Sequence, residues 1–134
     1  MSKDRITLTV PARGDYARTV RMAAAELATR MGMSYDEVDD VRMAVEEAFV
    51  YACDCVDEDE SVTFAFSLGE GELSVVVGPM PACDAPEGSH SALENYAEFI
   101  LQSVCDEFAI EHGNGTCTMS LTRRVGTTVE GAGD

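Results

Sequence analysis

Three groups of residues in this chain are of types that carry chemistry. The first is five cysteines, at positions 53, 55, 83, 105 and 117; Cys53-Asp54-Cys55 with Cys83 and His90 offers the sulfur and nitrogen donors that zinc takes. The spacing argues against a metal. Residues two apart on a helix point to different sides, and no second C-x-x-C or H-x-x-x-H completes a tetrahedron. An odd set of cysteines without framework spacing reads instead as free, buried or half-buried thiols in a reducing compartment. His90 and His112 lack a Ser or Cys partner at the spacing of a nucleophile and its base, so hydrolytic chemistry has no support. The second group is Arg13, Arg18 and Arg21, a concentration of charge in a chain with only nine Lys and Arg. It marks either a contact patch for a partner or an exposed helix face whose stems lie over the core. The third is the acid pair in Val45-Glu46-Glu47-Ala48, with Tyr51 a turn later; taken alone, those acids are equally well explained as a solvated helix surface.

These residues must be held by elements the hydrophobic pattern defines. Ile6, Leu8 and Val10 alternate with Arg5, Thr7 and Thr9, the mark of a strand with one buried face. From Asp15 to Met33, Ala17, Val20, Ala24, Leu27, Ala28 and Met31 recur at helical spacing, and Gly32 ends the run. Ser34 with Glu37 three residues on is a capping box, so a second helix is expected from about Tyr35 to about Cys53, its apolar face built from Val38, Val41, Met43, Val45, Ala48, Phe49 and Ala52. Val62, Phe64 and Phe66 alternate as a strand, Gly69 and Gly71 turn the chain, and Leu73–Val77 forms the partner strand, with Gly78–Gly88 expected as a loop. A third helix is expected from about Ser91 to about Asp106. Phe108 and Ile110, a Gly113-Asn114-Gly115 turn, and Cys117, Met119 and Leu121 give a closing hairpin. The order β-α-α-β-β-α-β-β implies an α+β fold, a two-layer sandwich in which about three helices cover one face of a mixed β-sheet. Leu8, Leu27, Val45, Phe49, Phe64, Val75, Ile100 and Leu121 share one apolar phase and are expected in one core.

At 134 residues, with 46% hydrophobic and 25% charged side chains, the chain fits one globular domain, expected over residues 1–125, with 126–134 as a flexible acidic tail. Twenty-five acids against nine basic residues give a formal charge of −16, a field that repels phosphate backbones, so nucleic acid is not an expected partner. No apolar stretch approaches the ~20 residues a membrane-spanning helix needs, and residues 1–13 are no signal peptide; no membrane association and a cytoplasmic location are expected.

Three local matches carry a resemblance over roughly residues 5 to 125. Pro11 through Val20 ends a strand and opens a helix on Tyr16-Ala17-Arg18; Val45-Glu46-Glu47-Ala48 stands on the second helix; Asp106-Glu107-Phe108 leads through Gly115-Thr116 to Leu121-Thr122-Arg123-Arg124. In their order and spacing these residues resemble the anti-sigma-factor serine kinases of the histidine kinase-like ATPase superfamily, the GHKL or Bergerat type. The resemblance implies that Glu47 holds the place of the residue that activates a protein hydroxyl, and Tyr51 that of an Asn that holds magnesium on a triphosphate. A phenol does not replace an amide carbonyl as a hard-cation ligand. It further implies that Val77-Gly78-Pro79-Met80 occupies the adenine-recognising element without its Asp, and that Asn95-Tyr96-Ala97 occupies a phosphate-cradling G-x-G. Gly115 and Thr116 alone keep the family's nucleotide-binding types. The nucleotide site is therefore expected to be degenerate, with no cofactor, or ATP and magnesium if it is active. The protein is expected to act by binding a sigma factor or an anti-anti-sigma-like protein through Arg13, Arg18 and Arg21, with a homodimer in prospect; the alternative is an active serine/threonine kinase.

Overall fold

The computed structural model describes residues 4–81, 89–127 and 129. Strand β1 (Asp4–Pro11) leads through a short 3-10 turn, Gly14–Tyr16, to helices α1 (Ala17–Arg30) and α2 (Tyr35–Cys55). The hairpin β2 (Ser61–Gly69) and β3 (Glu72–Pro81) follows, then α3 (Ser89–Val104) and the hairpin β4 (Glu107–Gly113) and β5 (Thr116–Arg124).

Local chemistry fixes the helix boundaries. Gly32 takes φ +84, a left-handed geometry suited to glycine, where α1 ends. Two residues later the capping box forms as expected: the Glu37 amide donates to Ser34 Oγ at 3.2 Å and the Ser34 amide donates to Glu37 Oε1 at 2.8 Å. From there α2 runs two residues further than the apolar pattern suggests, burying Val41, Ala44, Val45, Ala48, Phe49, Tyr51 and Ala52 against the sheet and its neighbouring helices.

The strand order is β1-β2-β3-β5-β4, and every pairing is antiparallel. This corrects the expectation of a mixed sheet. A strand–helix–strand crossover such as β3–α3–β4 does leave its two strands running the same way, but β5 slots between them and separates the parallel pair. The two-layer α+β arrangement itself is as expected. Phe64 and Phe66 of β2, Val75 and Val77 of β3, and Met119 and Leu121 of β5 point into one core with α2, and Phe49 lies 6.0 Å centroid to centroid from Phe64. Of the eight core residues named from the sequence, six are buried; Leu8 and Ile100 are half-buried near the margin.

Two boundaries differ in ways that matter for the site. Strand β3 does not stop at Val77 but continues through a bulge to Pro81, with Met80 paired to Cys117 of β5 and buried. Gly78 makes this possible: it takes φ +114, and a Cβ there would meet Cys117 O and Met80 N at 3.1 Å. Helix α3 begins at Ser89 rather than about Ser91 and ends at Val104. At the C-terminus, Gly126 and Thr127, read from sequence as the start of a loose tail, are tied to the body by hydrogen bonds from the Gly126 amide to Glu37 Oε2 at 2.5 Å and from Thr127 Oγ1 to Asp106 Oδ1 at 2.8 Å.

Candidate functional site

The antiparallel registers gather the candidate residues at one end of the sheet. The C-terminal end of α2 feeds directly into β2, the start of β2 pairs with the end of β1, and the end of β3 lies beside the start of β5. Glu47 and Tyr51, in the last third of α2, therefore stand over the same end as Met80–Pro81, Gly115–Thr116 and the start of α3. Spacing places Asp40, Ala44, Glu47 and Tyr51 along one stripe of α2, at i, i+4, i+7 and i+11.

Glu47 is half-buried, and burial first, then the adjacent charge of Glu46, pushes its carboxyl above the ordinary carboxylate range. A carboxyl so placed is a better proton acceptor than a fully solvated one. One turn on, Tyr51 is 0% exposed and belongs to the hydrophobic core. A side chain wholly enclosed by protein has no open coordination position to give a cation, and its phenol is a poor ligand for magnesium in any case.

The other elements that the resemblance pointed to are equally altered. At the adenine position the chain supplies an exposed Pro79 and a buried Met80, with no carboxylate in the described part of the segment; Asp84, the next acid along the chain, lies outside the described residues. Asn95-Tyr96-Ala97, placed from the sequence at the start of the third helix, falls in its middle. Only the first four amides of a helix are free to point at an anion, so residues this far in cannot cradle a phosphate. Asn95 and Tyr96 are exposed and Ala97 is buried against the core. Gly115 and Thr116 form an exposed hairpin turn in which Thr116 Oγ1 donates to the Gly113 carbonyl at 2.8 Å, and Asn114 beside them has φ 45. Among the described residues, Tyr51, Met80 and Asn95–Ala97 thus offer no group suited to magnesium or a triphosphate at the positions that the resemblance assigns.

The three arginines differ in their commitments. Arg13 reaches back over Tyr16, its guanidinium 5.4 Å from the ring centroid, and donates to the hydroxyl at 3.4 Å. Arg21 turns toward α2 and pairs with Glu46 at 3.0 Å. Arg18 is exposed and makes no ion pair or hydrogen bond among the described residues. Beside it the outer surface of the helix pair carries Met22, Met43 and Val50, all exposed, and a cleft lined by Arg21, Asp39, Arg42, Met43 and Glu46. Of the methionines on and between the first two helices, Met33 is buried and Met31 half-buried, whereas Met22 and Met43, the latter read from the sequence as part of the apolar face of α2, face solvent.

Cys53 and Cys55 are half-buried at the end of α2 and Cys105 and Cys117 are buried; Cys83 and the side chain of His90 lie outside what is described. Burial holds the Cys105 thiol up at about 12, too high to serve as a nucleophile. Among the described residues no three His, Cys, Asp or Glu side chains are grouped to hold a metal.

One functional-looking cluster was not read from the sequence as a cluster, although Asp106 and Arg123 both stand in the third matched segment. At the opposite end of the sheet, Arg123 is 6% exposed and lies between Asp40 of α2 and Asp106 of the α3–β4 turn, at 3.1 Å from each. Its partners lie 83 and 17 residues away in the chain, so no local pattern could have signalled them.

Comparison with known proteins identifies the family to which the fold belongs. Residues 10–122 match the family described as the histidine kinase-like ATPase domain, and the chain belongs to that family. Its relatives include proteins named serine-protein kinase RsbW: that of Bacillus velezensis is 28% identical over 91% of this chain and 86% of its own length, and that of Bacillus subtilis 27% over 90% and 85%. The RsbW of Halalkalibacterium halodurans is 32% identical over a shorter stretch, 55% of this chain and 46% of that protein. In fold the chain is similar to a crystal structure of the RsbU and RsbW domains of a Mycobacterium tuberculosis protein, with a TM-score of 0.68 at 22% identity over 98% of this chain and 34% of that one.

Proposed function

We propose that this protein is a regulatory member of the anti-sigma kind, acting by binding another protein, with its capacity for ATP lost or weakened. The observation that carries the second half is Tyr51, enclosed in the core at the position where the family's magnesium ligand belongs. The likeness in sequence to RsbW proteins supports the first half. Its partner is a sigma factor or an anti-anti-sigma-like protein, engaged through the outer face of α1, where Arg18 is the uncommitted cation. Cytoplasmic residence follows from that role; among the described residues no helix is long and apolar enough to cross a membrane. Association as a homodimer belongs to the same reading.

A second reading is favoured by Glu47, whose half-buried carboxyl keeps the position and the proton affinity of a base for a serine or threonine hydroxyl. Under it the chain is a serine/threonine kinase using ATP and magnesium. Two measurements separate the readings. Purified protein is titrated calorimetrically with magnesium and ATP, and co-purified with each sigma and anti-anti-sigma protein of its own cell. Capture of one such partner without nucleotide, together with no heat from millimolar ATP, supports the binding module. Low-micromolar ATP affinity with transfer of the γ-phosphoryl to a partner hydroxyl would establish the kinase instead.

A further inference from the structure

Outside the candidate site, a densely bonded polar group among the described residues is the guanidinium of Arg123. Nε and Nη2 both donate to Asp40 Oδ2, at 3.2 and 3.1 Å; Nη1 donates to Asp106 Oδ2 at 3.1 Å. Beyond these, Nη1 reaches the Arg124 carbonyl and Thr127 Oγ1, both at 2.9 Å, and Nη2 reaches the Thr127 carbonyl at 3.1 Å. The carboxylates are themselves tied to the segment after β5. Asp106 Oδ2 accepts the Arg124 amide at 2.6 Å, its Oδ1 accepts Thr127 Oγ1 at 2.8 Å, and Glu37 Oε2 accepts the Gly126 amide at 2.5 Å. A single buried cation thus joins the first turns of α2, the turn after α3, the end of β5 and the segment beyond it.

The placement of this junction along α3 gives it a reach beyond local stability. Asp106 stands two residues past the end of α3, and the start of that helix lies at the far end of the sheet, over the Glu47–Tyr51 end of α2. Through Ala97, Leu101 and Val104 the helix rests on the core by small and aliphatic contacts, whereas its C-terminal anchor is ionic. Next to the anchor is a polar space of about 500 Å³ lined by Ser34, Asp36, Glu37, Asp40, Ser103 of α3 and Arg123, with Gly126, Thr127 and Val129 along its edge. The helix end thus has room beside it and is restrained there by charge and hydrogen bonding.

We propose that the segment 124–127 is a latch: docked on Glu37 through the Gly126 amide and on Asp106 and Arg123 through Arg124 and Thr127, it holds α3 in place against α2, and its release frees α3 and opens the face of α2 that carries Glu47. The latch holds whether or not the domain binds nucleotide. Arg123 and the segment after it are positioning residues, acting on that face only through α3.

The test is amide hydrogen exchange on the full chain against two variants, Thr127→Val and a chain ending at Val125. The first removes the hydroxyl between Asp106 and Arg123; the second removes the Gly126 and Thr127 contacts and leaves β5 whole. The latch requires α3 amides to exchange at least about tenfold faster in the shortened chain, and by a smaller factor in Thr127→Val, while the amides of the β2–β3 hairpin keep their parent rates. Cys53, half-buried on the C-terminal turn of α2, should react faster with a maleimide in the shortened chain. Unchanged α3 exchange would overturn the proposal, as would a uniform increase across α3 and the β2–β3 hairpin, which would reduce the segment to a contributor to overall stability.

Discussion

If Tyr51 has become part of the core, restoring the metal ligand there should damage the fold without restoring the site. Tyr51→Asn removes a fully buried ring, a loss of about 3–5 kcal/mol by comparison with other large aromatic truncations. The new amide, enclosed where the ring had been, adds about 1–3 kcal/mol wherever its hydrogen bonds stay unmade. A net cost of at least about 4 kcal/mol is expected, a large part of the roughly 5–15 kcal/mol that stabilises a domain. At about 3–4 °C per kcal/mol for a chain of this length, the melting temperature should fall by about 12–16 °C. Tyr51→Phe keeps the ring and should lose no more than about 1.5 kcal/mol. Thermal unfolding followed by circular dichroism measures both, and calorimetric titration with magnesium and ATP measures the site. Asn at 51 should give no magnesium-dependent heat, because Met80 and the interior of α3 still stand where adenine and phosphate contacts would be needed. A variant that melts within a few degrees of the parent and binds ATP would refute the reasoning, since it would mean that the ring was occupying a ligand site ready to be reopened.

Arg18→Glu should abolish capture of the partner protein while moving stability by no more than about 0.5 kcal/mol, because the side chain is exposed and uncommitted; a pull-down paired with a melting curve checks both. Gly78→Ala should destabilise by about 1–3 kcal/mol, since φ +114 and a 3.1 Å approach to backbone atoms leave no relaxed place for a Cβ; urea unfolding reads it out. Acid stability has a definite sign. The carboxyls of Glu37 and Asp106 lie below their ordinary values, chiefly through the Ser34 and Arg124 amides working against burial, so their contribution is complete above about pH 4 and disappears as pH falls through their lowered values. Asp40 and Glu47 are raised by burial and have the opposite sign, gaining stability as they take up protons on the way down. The urea midpoint should therefore hold level or rise slightly from pH 6 to 5 and fall steeply below about pH 4; a steady decline beginning at pH 6 would contradict these assignments.

What the sequence revealed of this molecule was whatever is encoded locally. The capping box at Ser34, the period of α2 and the alternation in β2, β3 and β5 each depend on residues within a few positions of one another, and each was found where it was read. The failures have equally specific causes. Gly78-Pro79-Met80-Pro81 contains the strongest breakers in the alphabet and reads as a loop, yet a bulge lets β3 pass through it and bury Met80. The antiparallel sheet could not be inferred from element order, because the insertion of β5 between β3 and β4 is a choice of neighbour rather than a local propensity. Glu47 and Tyr51 were visible as a pair on α2, but that Tyr51 is sealed while Glu47 is half-exposed depends on what covers each side of the helix. The Arg123 junction was invisible for the same reason, being made of charges far apart in the chain that a solvated-surface reading explains equally well.

The position of β5 bears on how the molecule comes to exist. Strand β5, the last among the described residues, is an inner strand of the sheet, hydrogen-bonded on both sides, to β3 and to β4. Until residues 116–124 have left the ribosome, the earlier strands can form only β1-β2-β3, whose inner edge presents the open ladder of Val75 and Val77. An unpaired apolar edge of that kind invites pairing with other chains. The nascent protein therefore carries this adhesive edge from the emergence of β3 until that of β5, so a ribosome stalled between them would display a template for aggregation, and chaperone dependence arising from that edge should end when the β4–β5 hairpin closes.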